Sequence, residues 1–133
     1  QKLIERGNLE QARSELAEAL KRKPDDAGTR VLLAKVQTLS GQPKEALDTL
    51  ADIAEGAVPP WQVAVARARA LIAQERYADA RAALEGATRL NPDPAEAHYL
   101  TGIVCLKEGD TAAAAAAFRA AAEALKPALK MAP

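Results

Sequence analysis

Large aromatic side chains are nearly absent: Trp61, Tyr77, Tyr99 and Phe118 are the only aromatics in 133 residues, too few to fill a thick core. The single cysteine, Cys105, excludes an internal disulfide framework and a cysteine-based metal site, and it fits a reducing or an oxidising compartment equally. The single histidine, His98, leaves no His pair to hold a metal or relay a proton. Net charge is lacking too. Eighteen basic and 18 acidic residues cancel, so no overall field draws the chain to nucleic acid or to an anionic membrane. The longest stretch without a charged side chain, Gly56 to Ala66, is broken by Pro59 and Pro60, and it falls well short of the ~20 apolar residues of a membrane-spanning helix. The seven glycines are dispersed and form neither a GxGxxG nor a GxxxxGK loop, so nucleotide binding has no support. No cofactor, metal or catalytic centre is expected.

Alanine is abundant instead, at 33 of the 133 residues. It is the best helix former and lets helix axes approach closely, whereas strands favour the β-branched and aromatic residues that are scarce here. The expected class is all-α, and the length suits one domain.

The chain repeats itself with a period of 34. Gly7, Gly41, Glu75 and Gly109 are equally spaced, as are Ala12, Ala46, Ala80 and Ala114, and Leu16, Leu50, Leu84 and Phe118. A column of small residues, Ala34, Ala68 and Gly102, keeps the same interval. Each period holds two helical patterns. Thr29 to Ser40 and Lys44 to Glu55 flank Gly41-Gln42-Pro43, where Gly closes one helix and Pro opens the next. In the second helix Ala46, Leu47, Leu50, Ile53 and Ala54 make one apolar stripe. Proline-containing junctions at Pro24, Pro59-Pro60 and Pro92-Asp93-Pro94 separate successive pairs. The spacing predicts helices over 9–22, 28–40 with 44–55, 60–74 with 78–90, and 95–108 with 112–125, with residues 1–6 as the stub of a cut helix.

This period, two helices per period, and the runs Gly-Asn-Leu-Glu-Gln-Ala (7–12), Glu-Arg-Tyr-Ala-Asp-Ala (75–80) and Gly-Asp-Thr-Ala-Ala-Ala (109–114) closely resemble tetratricopeptide repeats over essentially the whole chain. The resemblance implies a right-handed α-solenoid of stacked antiparallel helix pairs. It divides residues 1–133 as a single array: a partial repeat 1–26, repeats 27–60, 61–94 and 95–128, and a short tail 129–133. Two departures stand out. Glu75 occupies a glycine column where a left-handed turn is expected, and Arg30, Ala64 and His98 replace the family's first-helix aromatic. Arg67 shares an inward column with Leu33 and Thr101, so either its helix is rotated or the charge finds a carboxylate.

In this family the first helices line a concave surface that is free to bind. Positions i, i+3, i+7 and i+10 of each first helix give Gly28, Val31, Lys35 and Thr38, then Gln62, Val65, Arg69 and Ile72, then Glu96, Tyr99, Ile103 and Leu106. Val65, Ile72, Tyr99, Ile103 and Leu106 are expected to form one exposed apolar patch, which soluble monomers rarely keep without a use. Lys35 and Arg69, one period apart, are expected on adjacent helices where both reach one acidic group of a bound segment. The plainer reading makes them a solvated face. Some family members grip a C-terminal carboxylate with asparagines on two first helices. The matching columns here hold Lys35, Arg69 and Ile103, or Leu32, Ala66 and Leu100, so that clamp is not implied.

Other candidates have structural explanations. His98 is expected to pack where the family places an aromatic, and Cys105 to be an inert buried hydrophobe. Glu10, Asp25, Asp26, Asp93, Glu96 and Asp110 stand at helix starts and complement the helix dipole. Trp61 either seals a junction or anchors a ligand, and sealing is the simpler role.

The expected function is a non-catalytic protein-protein interaction scaffold that binds a protein or peptide through the concave groove. The Ala-rich, Lys-poor composition and the family's habits point to a fragment of a larger bacterial protein, of envelope or secretion machinery. Bacterial cytoplasm and periplasm are both compatible. The rival is the substrate-recruiting region of an enzyme, a glycosyltransferase or a peptidase, whose catalytic domain lies elsewhere. Helical repeats that read RNA carry a basic groove, which a neutral chain lacks. Apolar residues at both ends lead to the further expectation of more repeats or of end-to-end self-association.

Overall fold

A computed structural model describes the backbone of residues 2–90 and 94–131 and the side chains of residues 7–90 and 94–125. The described residues form seven helices and no strand: α1 (Lys2–Arg22), α2 (Ala27–Leu39), α3 (Pro43–Ala51), α4 (Pro60–Ala73), α5 (Tyr77–Leu90), α6 (Ala95–Lys107) and α7 (Thr111–Met131).

The pairs α2–α3, α4–α5 and α6–α7 are each closed by the same three-residue joint. Gly41 (φ 81°), Glu75 (φ 61°) and Gly109 (φ 84°) all take the left-handed conformation. The next residue in each case reaches back five positions, from Gln42 N to Gln37 O at 2.8 Å, Arg76 N to Leu71 O at 2.9 Å and Asp110 N to Cys105 O at 2.9 Å. This is the Schellman closure, which satisfies the last carbonyls of a helix and turns the chain back along it. Helix starts are equally local. The Asp26 carboxylate accepts from Thr29 N at 3.2 Å, and that amide, then the Thr29 hydroxyl, holds its carboxyl below the usual aspartate range. Pro43 and Pro60 open α3 and α4 at the first turn, where no N–H is needed.

Two apolar clusters hold the stack. Ala34, Ala46, Leu50, Ala66 and Ala70 join α2, α3 and α4. Val65, Ala68, Leu71, Ala80, Leu84, Ala87, Ala97, Leu100 and Val104 join α4, α5 and α6. Within each pair a small side chain on the first helix belongs with a larger one on the second: Ala34 with Leu50, and Ala68 with Leu84. In the last pair Leu is replaced by Phe118, and Gly102 stands where the others have Ala. A Cβ added at Gly102 falls 2.6 Å from Phe118 Cδ1 and 2.7 Å from Cζ, so the glycine is the notch that admits the ring.

The stacking order is what matters for binding. α2 packs on α4, and α4 packs on α6, so the first helices form a continuous row. Among the described residues α3 does not touch α5, and α5 does not touch α7. A stack in contact along one row and splayed along the other is curved, with the first helices on the inner side.

Three expected boundaries differ. The turn at Gly7 does not form, and α1 runs through it from Lys2. Glycine permits a left-handed turn without imposing one, and within a helix it costs only ~1 kcal/mol relative to Ala. Along the same helix Ala12 and Leu16 are only half-buried, whereas their counterparts Ala46 and Leu50 are buried. α7 continues through Pro127 to Met131 rather than ending at 125. An alanine-rich helix has the propensity to absorb one missing N–H bond close to its end. α3 ends at Ala51 rather than 55, ahead of Gly56 (φ 83°).

Replacing Glu75 by Gly removes left-handed strain of ~1–2 kcal/mol, partly offset by the freer unfolded chain. Thermal unfolding followed by circular dichroism is expected to shift up by roughly 3–5 °C, and a lower midpoint refutes the account. Gly102→Ala is expected to destabilise, since an overpacking cost of ~1–3 kcal/mol exceeds a helix-propensity gain of ~1 kcal/mol. Adding Phe118→Leu recreates the Ala–Leu pairing of the other repeats, so urea denaturation of the double variant should show favourable coupling between the two changes.

Candidate functional site

The row of first helices leaves a cleft of about 220 Å³ between α2 and α4, with the start of α6 at its rim. Val31, Lys35, Trp61, Gln62, Val65, Ala66, Arg69 and Glu96 line it. A smaller hollow of about 130 Å³ continues along the same seam, lined by Lys35, Thr38, Leu39, Arg69, Ile72 and Leu100. Lys35 and Arg69 border both, so the two make one groove.

Six of the expected groove residues, Val31, Lys35, Gln62, Val65, Arg69 and Glu96, come together in the larger cleft, and Thr38 and Ile72 in the smaller. Tyr99, Ile103 and Leu106 do not line either hollow. Tyr99 (51% exposed) and Leu106 (48%) are open to solvent, while Ile103 is half-buried. The Tyr99 ring leans toward α7, with its centroid 5.8 Å from that of Phe118. The expected single exposed apolar patch is therefore corrected. Val65, only 6% exposed, is part of the core and borders the cleft, and Tyr99, Ile103 and Leu106 line neither hollow.

The charges also differ from expectation. Arg69 is already engaged: its Nε and Nη2 donate to Glu96 Oε1 at 2.9 and 2.6 Å, tying α4 to α6. Glu96, expected both to serve the helix dipole and to line the groove, lies in the groove with a partner. Among the described residues Lys35 has no carboxylate partner and is exposed. Arg67 is likewise exposed, so its charge stays in water.

Trp61, expected to seal a junction, packs against the α4–α5–α6 cluster and also borders the cleft. It is half-buried and forms a wall of the cleft. Its spacing from Val65 and Arg69, i, i+4 and i+8, places all three on one stripe, a signal that a composition-based reading passes over. Leu39, Ala66 and Leu100 also border the groove without having been expected there. His98 is half-buried and Cys105 is a buried free thiol. Among the described residues no group of three His, Cys, Asp or Glu side chains could hold a metal ion, and no helix is long and apolar enough to cross a membrane.

A curved stack of helical hairpins with an open groove along its first helices defines a protein-protein interaction scaffold. The chain belongs to the tetratricopeptide repeat family: two models of that repeat match it, one over residues 3–68 and the other over residues 65–132. Among solved structures it is similar to MamA 41-end from Desulfovibrio magneticus RS-1, with a TM-score of 0.74 and 21% identity over 94% of this chain and 71% of that one. It is also similar to MamA MSR-1 C2, with a TM-score of 0.69 and 20% identity over 94% of this chain and 72% of that one. At this identity the likeness is one of fold. No curated protein matches the chain.

The Arg69–Glu96 pair is partly exposed, at 31% and 44% of the side chains, so it is worth ~0.2–1 kcal/mol to the fold. Glu96→Gln is therefore expected to lower stability by no more than about 1 kcal/mol in urea unfolding. A larger loss would make the pair a structural lock rather than a groove feature.

Proposed function

We propose that the chain is a non-catalytic scaffold that binds a peptide or partner protein along the groove of its first helices, within an array of repeats 27–60, 61–94 and 95–128 that follows the partial repeat 1–26. The observation that carries this reading is the unbroken row α2–α4–α6, which leaves an apolar-floored cleft open to solvent. Val31, Lys35, Thr38, Gln62, Val65, Arg69, Ile72 and Glu96 form the body of the contact surface, and Tyr99, Ile103 and Leu106 extend it onto α6. The Ala-rich, Lys-poor composition supports a bacterial source, and the habits of the repeat family support a place in a larger protein of envelope or secretion machinery. Exposed Leu32 (49%) on α2 and Leu125 (49%) on α7 support self-association through the ends of the stack.

Immobilised wild-type protein panned against a displayed peptide library should enrich binders. Those binders should lose at least tenfold in capture by the Lys35→Glu/Arg69→Glu variant and several-fold by Tyr99→Ala, with helicity by circular dichroism unchanged. Equal capture by all variants refutes the groove assignment. Light scattering that shows a strict monomer at high concentration refutes the end-to-end contact.

A further inference from the structure

The groove is not uniformly receptive. Its floor is apolar, made by Val31, Val65 and Ala66, with the Trp61 ring as one wall. A half-buried tryptophan beside an apolar hollow is the kind of surface on which one large side chain gains most from leaving water. Around the rim, Arg69 and Glu96 cancel each other through two hydrogen bonds to a single carboxylate oxygen. Lys35 is left as the one cation of the cleft without an ion-pair partner among the described residues. The cleft therefore carries one uncompensated positive charge next to one apolar hollow, and the complementary ligand carries one negative charge next to one apolar group.

Resting on the groove reading above, we propose that this cleft takes an internal peptide segment bearing one large apolar side chain adjacent to a single carboxylate. The apolar group sits against Trp61, Val31 and Val65, and the carboxylate on Lys35. Glu96, by occupying Arg69, sets the preference for one carboxylate over two. It is a specificity-determining residue that acts through Arg69. Freeing Arg69 adds a second cation at the same rim, so loss of the Glu96 charge should tighten, not weaken, the hold on a doubly acidic segment. Damage to the fold would not produce such a gain.

The test uses the full 133-residue chain and hexapeptides blocked at both ends: Gly-Ser-Leu-Asp-Ser-Gly, its Leu-Asn and Ala-Asp counterparts, and Gly-Ser-Leu-Asp-Asp-Gly. Binding is read from the NMR shift of the indole N–H of Trp61, the chain's sole tryptophan. The Leu-Asp peptide should bind about 3–5-fold more tightly than the Leu-Asn and Ala-Asp peptides, the scale of one exposed ion pair or one partly buried side chain. Lys35→Gln should erase the Asp-over-Asn difference and keep the Leu-over-Ala difference. Glu96→Gln should improve the doubly acidic peptide by a similar factor. Equal affinity for Leu-Asp and Leu-Asn overturns the charge selection and leaves the groove reading standing, whereas no Trp61 response to any peptide overturns both. A peptide whose only carboxylate is its free C-terminus binding more tightly than the blocked Leu-Asp peptide overturns the internal-segment assignment. So does a Trp61 shift that depends on protein concentration alone, which would make a second copy the occupant. An unchanged or weaker hold of Glu96→Gln on the doubly acidic peptide overturns the role of Glu96.

Discussion

Helix axes can approach closely only where the side chain between them is small, and in this chain that condition is met once per repeat, at Ala34, Ala68 and Gly102. Opposite each lies a larger residue, Leu50, Leu84 or Phe118. Interiors tolerate neither gaps nor excess volume, so enlargement on one side of the pair requires reduction on the other, and the step from Ala–Leu to Gly–Phe obeys that rule. Once each pair is closed in this way, the first helices are brought near enough to one another to form a row. The groove follows from that row.

Much of the fold was legible because its causes are local and recur. The left-handed joint at Glu75 could be foreseen from its place between Gly41 and Gly109, since the same closure must be made whichever residue occupies it. Gly7 shows the limit of that reasoning. It stands in the same column, yet α1 passes straight through it, so a permissive residue does not by itself make a turn. Pro127 shows the complementary limit, where an alanine-rich helix outlasts a residue that usually ends one.

The site was legible as a stripe of positions but not as a pattern of charge. Spacing alone placed Lys35 and Arg69 on neighbouring helices. It did not show that the rise from α4 to α6 brings Glu96 within hydrogen-bond reach of Arg69, because that pairing depends on how side chains lean across an interface. Trp61 was weighed as a junction residue from its proline neighbours; it packs on the core as such a residue does, and its position i−4 from Val65 also brings it to the cleft. Val65 and Tyr99 share a column and differ in burial for a simple reason: α6 covers Val65, whereas among the described residues no further first helix follows α6 to cover Tyr99.

Among the described residues the outer helices α3, α5 and α7 pack on first helices and make no close backbone approach to one another. Successive pairs are therefore joined twice, along the inner row and from each outer helix to the next first helix. Because each pair contacts only its neighbours, small rotations between pairs add up along the stack to a change of curvature. A groove on such a support can adjust its pitch to an occupant of slightly different length without unfolding any one hairpin.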